Sequence, residues 1–158
     1  MRAFPLADPG DPDVGSPLRF LIWIAKNQRA TLLGGMTFGI VWMGGQAAVP
    51  FVVGRAIDRG ISGRDTAALL GWSIALLLIG LVQAASGVSR HRFAVTNWMT
   101  GTYRVEQLLT RKAAQLGGSL TQRVDLGDVV SSATTDALYI GNSLDITARA
   151  AGSIVAFV

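Results

Sequence analysis

An all-α membrane protein is the expected fold class, on three grounds. Half of the 158 residues are apolar and only 15% are charged, a balance more apolar than that of an ordinary soluble domain. Two runs, 30–54 and 66–89, contain no charged residue, and each exceeds the roughly 20 residues a helix needs to cross a bilayer about 30 Å thick. Beyond the second run, apolar residues recur every three or four positions, which is helical spacing. The mean hydropathy of +0.41 agrees.

The chain opens with "MRAFPLADPGDPDVG", residues 1–15. This stretch is acidic and proline-rich, so a disordered tail is expected there rather than a cleaved signal peptide. Residues 16–29 follow as a short helix. Ser16 is placed to cap it and Pro17 to occupy its first position. Phe20, Trp23 and Ile24 fall on one side, with Arg19, Lys26 and Arg29 available to lipid headgroups, which predicts an interfacial elbow helix.

The first span, about 30–54, contains a GxxxG at Gly35 and Gly39, and Gly44 or Gly45 with Ala48 extends the face of small residues. Such faces let helices approach closely. Gln46 in this span and Gln83 in the next, about 66–89, are the amide side chains at membrane depth. Polar groups there turn toward a bundle interior or a water-filled cavity, so both are candidate cavity-facing positions; hydrogen bonding between helices is the alternative. Between the spans, "PFVVGRAIDRGISGR" predicts an external turn, with Pro50, Gly54, Asp58 and Gly60 as its marker residues. Arg55, Arg59 and Arg64 of that turn are diluted by Asp58 and Asp65, whereas Arg90, Arg92, Arg104, Arg111 and Lys112 follow the second span. The excess of basic residues after the second span places both ends in the cytoplasm.

From Arg90 to Arg149 a cytoplasmic helical hairpin is expected. Trp98, Thr102, Val105, Leu109, Ala113 and Leu116 continue the second span as an amphipathic helix that stops at Gly117 and Gly118. Ser119 and Gln122 have capping-box spacing for a short helix in a new direction, ending near Gly127 with Asp128 as a cap. From Val130, the stripe Ala133, Ala137, Ile140, Leu144, Ala148 and Ala151 describes a helix returning to the membrane. A third span begins at about 150 and stops at Val158 after roughly half the required length, so a fragment or truncated product is expected.

Several chemistries find no support. Cysteine is absent, which removes thiolate ligands and nucleophiles. The net charge of +4 flanks apolar blocks and forms no dense patch interleaved with aromatics, so nucleic acid is not an expected partner. His91 stands alone between two arginines, and Asp125, Asp128, Asp136 and Asp145 are spread along helix faces; neither arrangement makes a catalytic or metal site. No GxxxxGK(S/T) loop occurs, so the chain holds no phosphate cradle.

The layout and two stretches of sequence resemble the N-terminal part of the transmembrane domain of an ATP-binding cassette (ABC) exporter, the type-1 domain. "VPFVVGRAIDRGI" (49–61) is similar to the family's end of the first transmembrane helix, and "GDVVSSATTDALYIGNSLD" (127–145) to its stretch after the first coupling helix. The resemblance covers about residues 16–158. It implies two and a half spans of a six-helix domain, multi-pass in a bacterial cell membrane with the N-terminus cytoplasmic. It further implies a second transporter half, a nucleotide-binding domain that carries ATP and Mg, and an unknown transported small molecule. Carried onto this chain, the coupling helix is Ser119, Leu120, Thr121, Gln122, Arg123 and Val124. That stretch offers only Leu120 and Val124 where the family commonly has aromatics. The chain itself is expected to be no enzyme and to hold no cofactor. Competing expectations are a membrane signalling protein, or a small membrane protein that regulates or scaffolds a larger complex.

Overall fold

Helix forms wherever the apolar runs are long and uncharged, and no strand occurs among the described residues. The computed structural model describes residues 6–119 and 124–157, with side-chain surroundings as far as Ile146. Helix α1 spans Pro17–Asn27. Ser16 has extended backbone, and its Oγ accepts from the Arg19 N–H at 3.2 Å, satisfying one of the donors a helix start leaves free. Gln28 breaks the helix, and α2 runs Arg29–Arg55.

The reversal between the two long helices is shorter than the sequence predicts. Pro50 and Gly54 lie inside α2, and Asp58 and Gly60 lie in a π-helical turn, Ala56–Ser62, so none of these four belongs to an open loop. Only Gly63–Asp65 turn, and their N–H groups donate to the carbonyls of Asp58, Ile61 and Gly60 at 3.1–3.2 Å. The reason is apolar surroundings: a backbone flanked by Val49, Phe51, Val52 and Val53 keeps its polar groups satisfied by staying helical, even though Pro50 brings no N–H of its own.

Helix α3 runs unbroken over Thr66–Leu116, 51 residues. Asp65 starts it, its Oδ1 accepting from the Ala68 N–H at 3.0 Å. Gly117, with φ +51°, ends it and opens a 3₁₀ turn, Gly117–Ser119. Helix α4, Leu126–Ser131, begins at Asp125, whose carboxylate accepts from the Gly127 N–H at 2.7 Å. The cap is therefore Asp125; Asp128, expected in that role, sits inside the first turn because the extended backbone a cap needs occurs at Asp125. A π-helical turn, Ser132–Asp136, leads into α5, Ala137–Phe157.

The chain divides into two units. One combines the residues up to Leu32 with Ala94–Thr147. Its core is Ile24, Leu32, Val105, Ala137 and Leu144, flanked by Phe20, Trp23, Leu109 and Ile140. The surroundings of Ala148 and Ala151 lie outside the described residues. The predicted stripe of α3, and that of the returning helix as far as Leu144, thus face inward. So does the Phe20–Trp23–Ile24 side of α1, which the sequence assigns to lipid: Ile24 is fully buried. The apolar residues that α1 leaves outside are Leu18 and Ile22.

Residues 6–15 also differ from expectation. Instead of lying free, they run along α3, fixed by Arg104, Gln107 and Arg111. Prolines and aspartates give this stretch no core of its own, but its main-chain carbonyls and carboxylates match the donors on that helix face.

The other unit contains Leu33–Phe93 and the chain from Ala148. Here α2 and α3 form a hairpin in which small residues oppose large ones. Gly34 faces Phe93, which stacks on Phe38 at 5.8 Å. Gly45 faces Gln83, and Gly60 faces Leu69. Gly35 and Gly39 are buried as well. Close approach of backbones in place of interlocking large side chains is how helices associate where no water drives them together. Outward lie Leu70, Leu77, Leu78, Leu81 and Val82, all exposed. Helix α2 with its π turn, and α3, are long and apolar enough to cross a membrane.

Candidate functional site

Within the hairpin the two amides have different surroundings. Gln83 is half-buried and packs on Gly45, where a Cβ would stand 2.7 Å from the Gln83 Cγ. Its Nε2 is buried and makes no hydrogen bond. Gln46 is exposed on α2, one residue from Gly45 and so turned about 100° away from it. Gln83 therefore fills the helix contact while Gln46 points outward. Basic residues bracket the apolar segment: Arg55 lies over the Phe51 ring at 5.0 Å and Arg90 over the Trp42 ring at 5.4 Å. Such cation–π pairs let an arginine remain beside apolar surface.

The unit built from α1, the later part of α3, α4 and the start of α5 holds a polar interior. Gln28, Asn97 and Thr100 are 2%, 1% and 1% exposed. No hydrogen-bond partner satisfies their side-chain polar atoms. Asn97 and Thr100 share a face of α3 with Gly101, and a Cβ at Gly101 would approach the Gln28 Nε2 to 3.9 Å. On the facing helix Gly141 is buried; a Cβ there would meet the Trp98 carbonyl at 2.8 Å and press on the Thr102 hydroxyl. Helices α3 and α5 thus touch backbone to backbone, beside amides that carry unused hydrogen-bonding capacity. Buried polar groups left in that condition are costly to keep.

A groove of about 620 Å³ opens on the same unit. Phe20, Val105, Leu108, Leu109 and Ile140 floor it, Asp11, Pro12 and Val14 wall one side, and Arg111, Lys112 and Asp136 stand at its rim. Asp136 accepts from the Ser132 Oγ at 2.9 Å, which ties the rim to the π-helical turn. An apolar floor under a few charged groups is the usual composition of a small-molecule or peptide site.

Of the expected coupling residues, Ser119 closes the 3₁₀ turn and its Oγ donates to the Leu116 carbonyl at 2.6 Å. Val124 is exposed just before the Asp125 cap. Leu120, Thr121, Gln122 and Arg123 lie outside the described residues. Composition alone did not single out Gln28, Asn97, Thr100, Gly101 or Gly141. The available signal was an isolated glycine inside each of two helical stripes, a mark of close packing. Among the described residues no three His, Cys, Asp or Glu side chains converge, and His91 is exposed. No protein-family model matches this chain, nor does any curated protein or solved structure.

Proposed function

We propose that the chain is the N-terminal part of the transmembrane domain of an ABC exporter. In this role it links a nucleotide-binding domain on another segment or chain to a membrane-embedded path. The observation that carries the reading is α3. Its 51 residues extend about 77 Å at 1.5 Å per residue, against the roughly 30 Å a bilayer requires. The surplus is amphipathic and pairs with α5 through Gly101 and Gly141. A helix that crosses the membrane and continues past it as an amphipathic stretch is suited to carry displacement from a cytoplasmic motor to a substrate cavity. ATP and Mg belong to the partner domain, because no phosphate loop is present here.

Transport needs an enclosed, two-sided cavity, to which this hairpin contributes wall and lever. The exposed apolar residues of α2 and α3 then face lipid and further helices. Absence of native cysteine makes the test clean. Single cysteines at Arg64 and Gln115 should react with impermeant maleimide from opposite faces of sealed vesicles, and reaction from the same face would reject the hairpin topology. The family assignment is tested separately by reading the coding region past the Val158 codon. Further apolar spans and a GxxxxGK(S/T) loop are expected, and a frame continuing without them would reject the exporter.

A further inference from the structure

The tail has a defined seat on α3. Gln107 exchanges two hydrogen bonds with the main chain of Leu6, its Oε1 accepting at 3.2 Å and its Nε2 donating at 3.0 Å. Arg104 Nη1 donates to the Pro9 carbonyl at 2.8 Å, and its guanidinium lies 5.5 Å from the Trp23 ring of α1. Arg111 Nη2 donates to Asp8 Oδ1 at 3.1 Å, and its Nη1 lies 3.6 Å from Asp11 Oδ1. Positions 104, 107 and 111 follow the three-and-four spacing of one helix face. Gly10, at φ +84°, lets the segment turn where a Cβ would come 3.2 Å from Trp23. Pro9 and Pro12 reduce the freedom the tail loses on seating.

The two ends of this seat differ in character. Arg104 is buried and joins tail, α1 and α3 at one point, whereas the Arg111 pairs are exposed, Asp11 fully so. Exposed pairs are weak and screened by salt. The same tail supplies the Asp11–Val14 wall of the groove floored by Phe20, Val105 and Leu109.

We propose that residues 6–14 are a detachable strap, pinned through Arg104 and latched by Arg111 to Asp8 and Asp11, whose release removes one wall of the apolar groove floored by Phe20, Val105, Leu109 and Ile140. The strap acts as an electrostatic latch. Raised ionic strength, or a competing anion or cation at Arg111 or Asp8, loosens it without disturbing the core.

A nitroxide on Ala7→Cys, an exposed position in a cysteine-free chain, reads the strap in the full-length protein. A mostly immobilised spectrum is expected. Asp8→Asn should raise the mobile-to-immobile ratio about 1.5- to 5-fold, the range for loss of one exposed pair; Arg111→Gln and 1 M salt, which act on both pairs, should raise it at least as far, and Arg104→Gln further. A cysteine at Leu108 in the groove should gain maleimide reactivity under the same changes. Asp8→Asn touches no core residue, so its result stands even if Arg104→Gln fails to fold. A fully mobile Ala7→Cys label in the unaltered chain, or mobility that ignores both Asp8→Asn and salt, overturns the strap. Release without gain of reactivity at Leu108→Cys overturns its hold on the groove.

Discussion

Gly141→Ala tests whether α3 and α5 meet backbone to backbone. The added methyl would stand 2.8 Å from the Trp98 carbonyl oxygen and 3.0 Å from the Trp98 Cδ1, and would press on the Thr102 hydroxyl. The carbonyl belongs to the backbone of α3, so relief requires one helix to move. Overpacking of this kind costs about 1–3 kcal/mol. Against it stands the gain of about 1 kcal/mol from replacing a helical glycine by alanine. Gly101→Ala supplies the comparison. Its methyl would meet chiefly the Leu144 Cδ1, at 2.8 Å, the far end of a side chain that can rotate. Both substitutions carry the same helix-propensity gain, so their difference isolates the steric cost. Gly141→Ala should be less stable than Gly101→Ala by about 1–3 kcal/mol, or roughly 4–20 °C in melting temperature for a unit of this size. Thermal unfolding of the detergent-solubilised chain, followed by near-ultraviolet circular dichroism in a Trp42→Phe, Trp72→Phe background that leaves Trp23 and Trp98 as the tryptophans, measures it. Equal melting temperatures, or a more stable Gly141→Ala, would refute the backbone contact.

Further outcomes follow from the other elements. Asp125→Ala should destabilise the α4 start by about 1 kcal/mol through loss of the cap, and Asp128→Ala by less than half of that; helical signal from residues 126–136 by nuclear magnetic resonance separates the two. Gly60→Val would bring its Cβ 2.9 Å from the Leu69 Cα, so hydrogen exchange at the bonded amides of Gly63–Asp65 should accelerate. Gly54→Ala, with open space around it, should leave that exchange unchanged. The Gly10 N–H, and then the Arg111 guanidinium, hold the Asp8 carboxyl below its ordinary value. A carboxyl so lowered favours the docked tail above its free pKa of about 3.9 and loses that contribution as pH falls through the docked value. A label at Ala7 should therefore stay immobile at neutral pH and become mobile only in acid; release between pH 6 and 8 would contradict the Asp8 contact.

The helical class and the two long apolar helices were legible from the amino-acid order, because uncharged length and three-to-four spacing are local properties of the chain. That order also located the stop at Gly117 and the inward stripe of Val105, Leu109, Ala137, Ile140 and Leu144, since periodicity names a face without needing to know what covers it. It could not decide which end of a motif wins when two local rules compete. Pro50 and Gly60 look like a loop by composition, yet apolar neighbours favour continued helix, and Asp125 and Asp128 are equally good caps until backbone geometry chooses between them.

Contacts between distant segments were fixed by folding. Residues 6–15 of the acidic, proline-rich tail have a disordered composition, yet they lie along α3 because Arg104, Gln107 and Arg111 present donors at the spacing of one helix face. The apolar side of α1 is amphipathic enough for lipid, but Ile24 packs with Val105 and Leu144 into a core. Gly101 and Gly141 lie 40 positions apart in sequence, and a Cβ at Gly101 would stand 3.4 Å from the Gly141 Cα. Burial and close approach are properties of the assembled chain: they depend on what arrives from elsewhere, which no window of sequence contains.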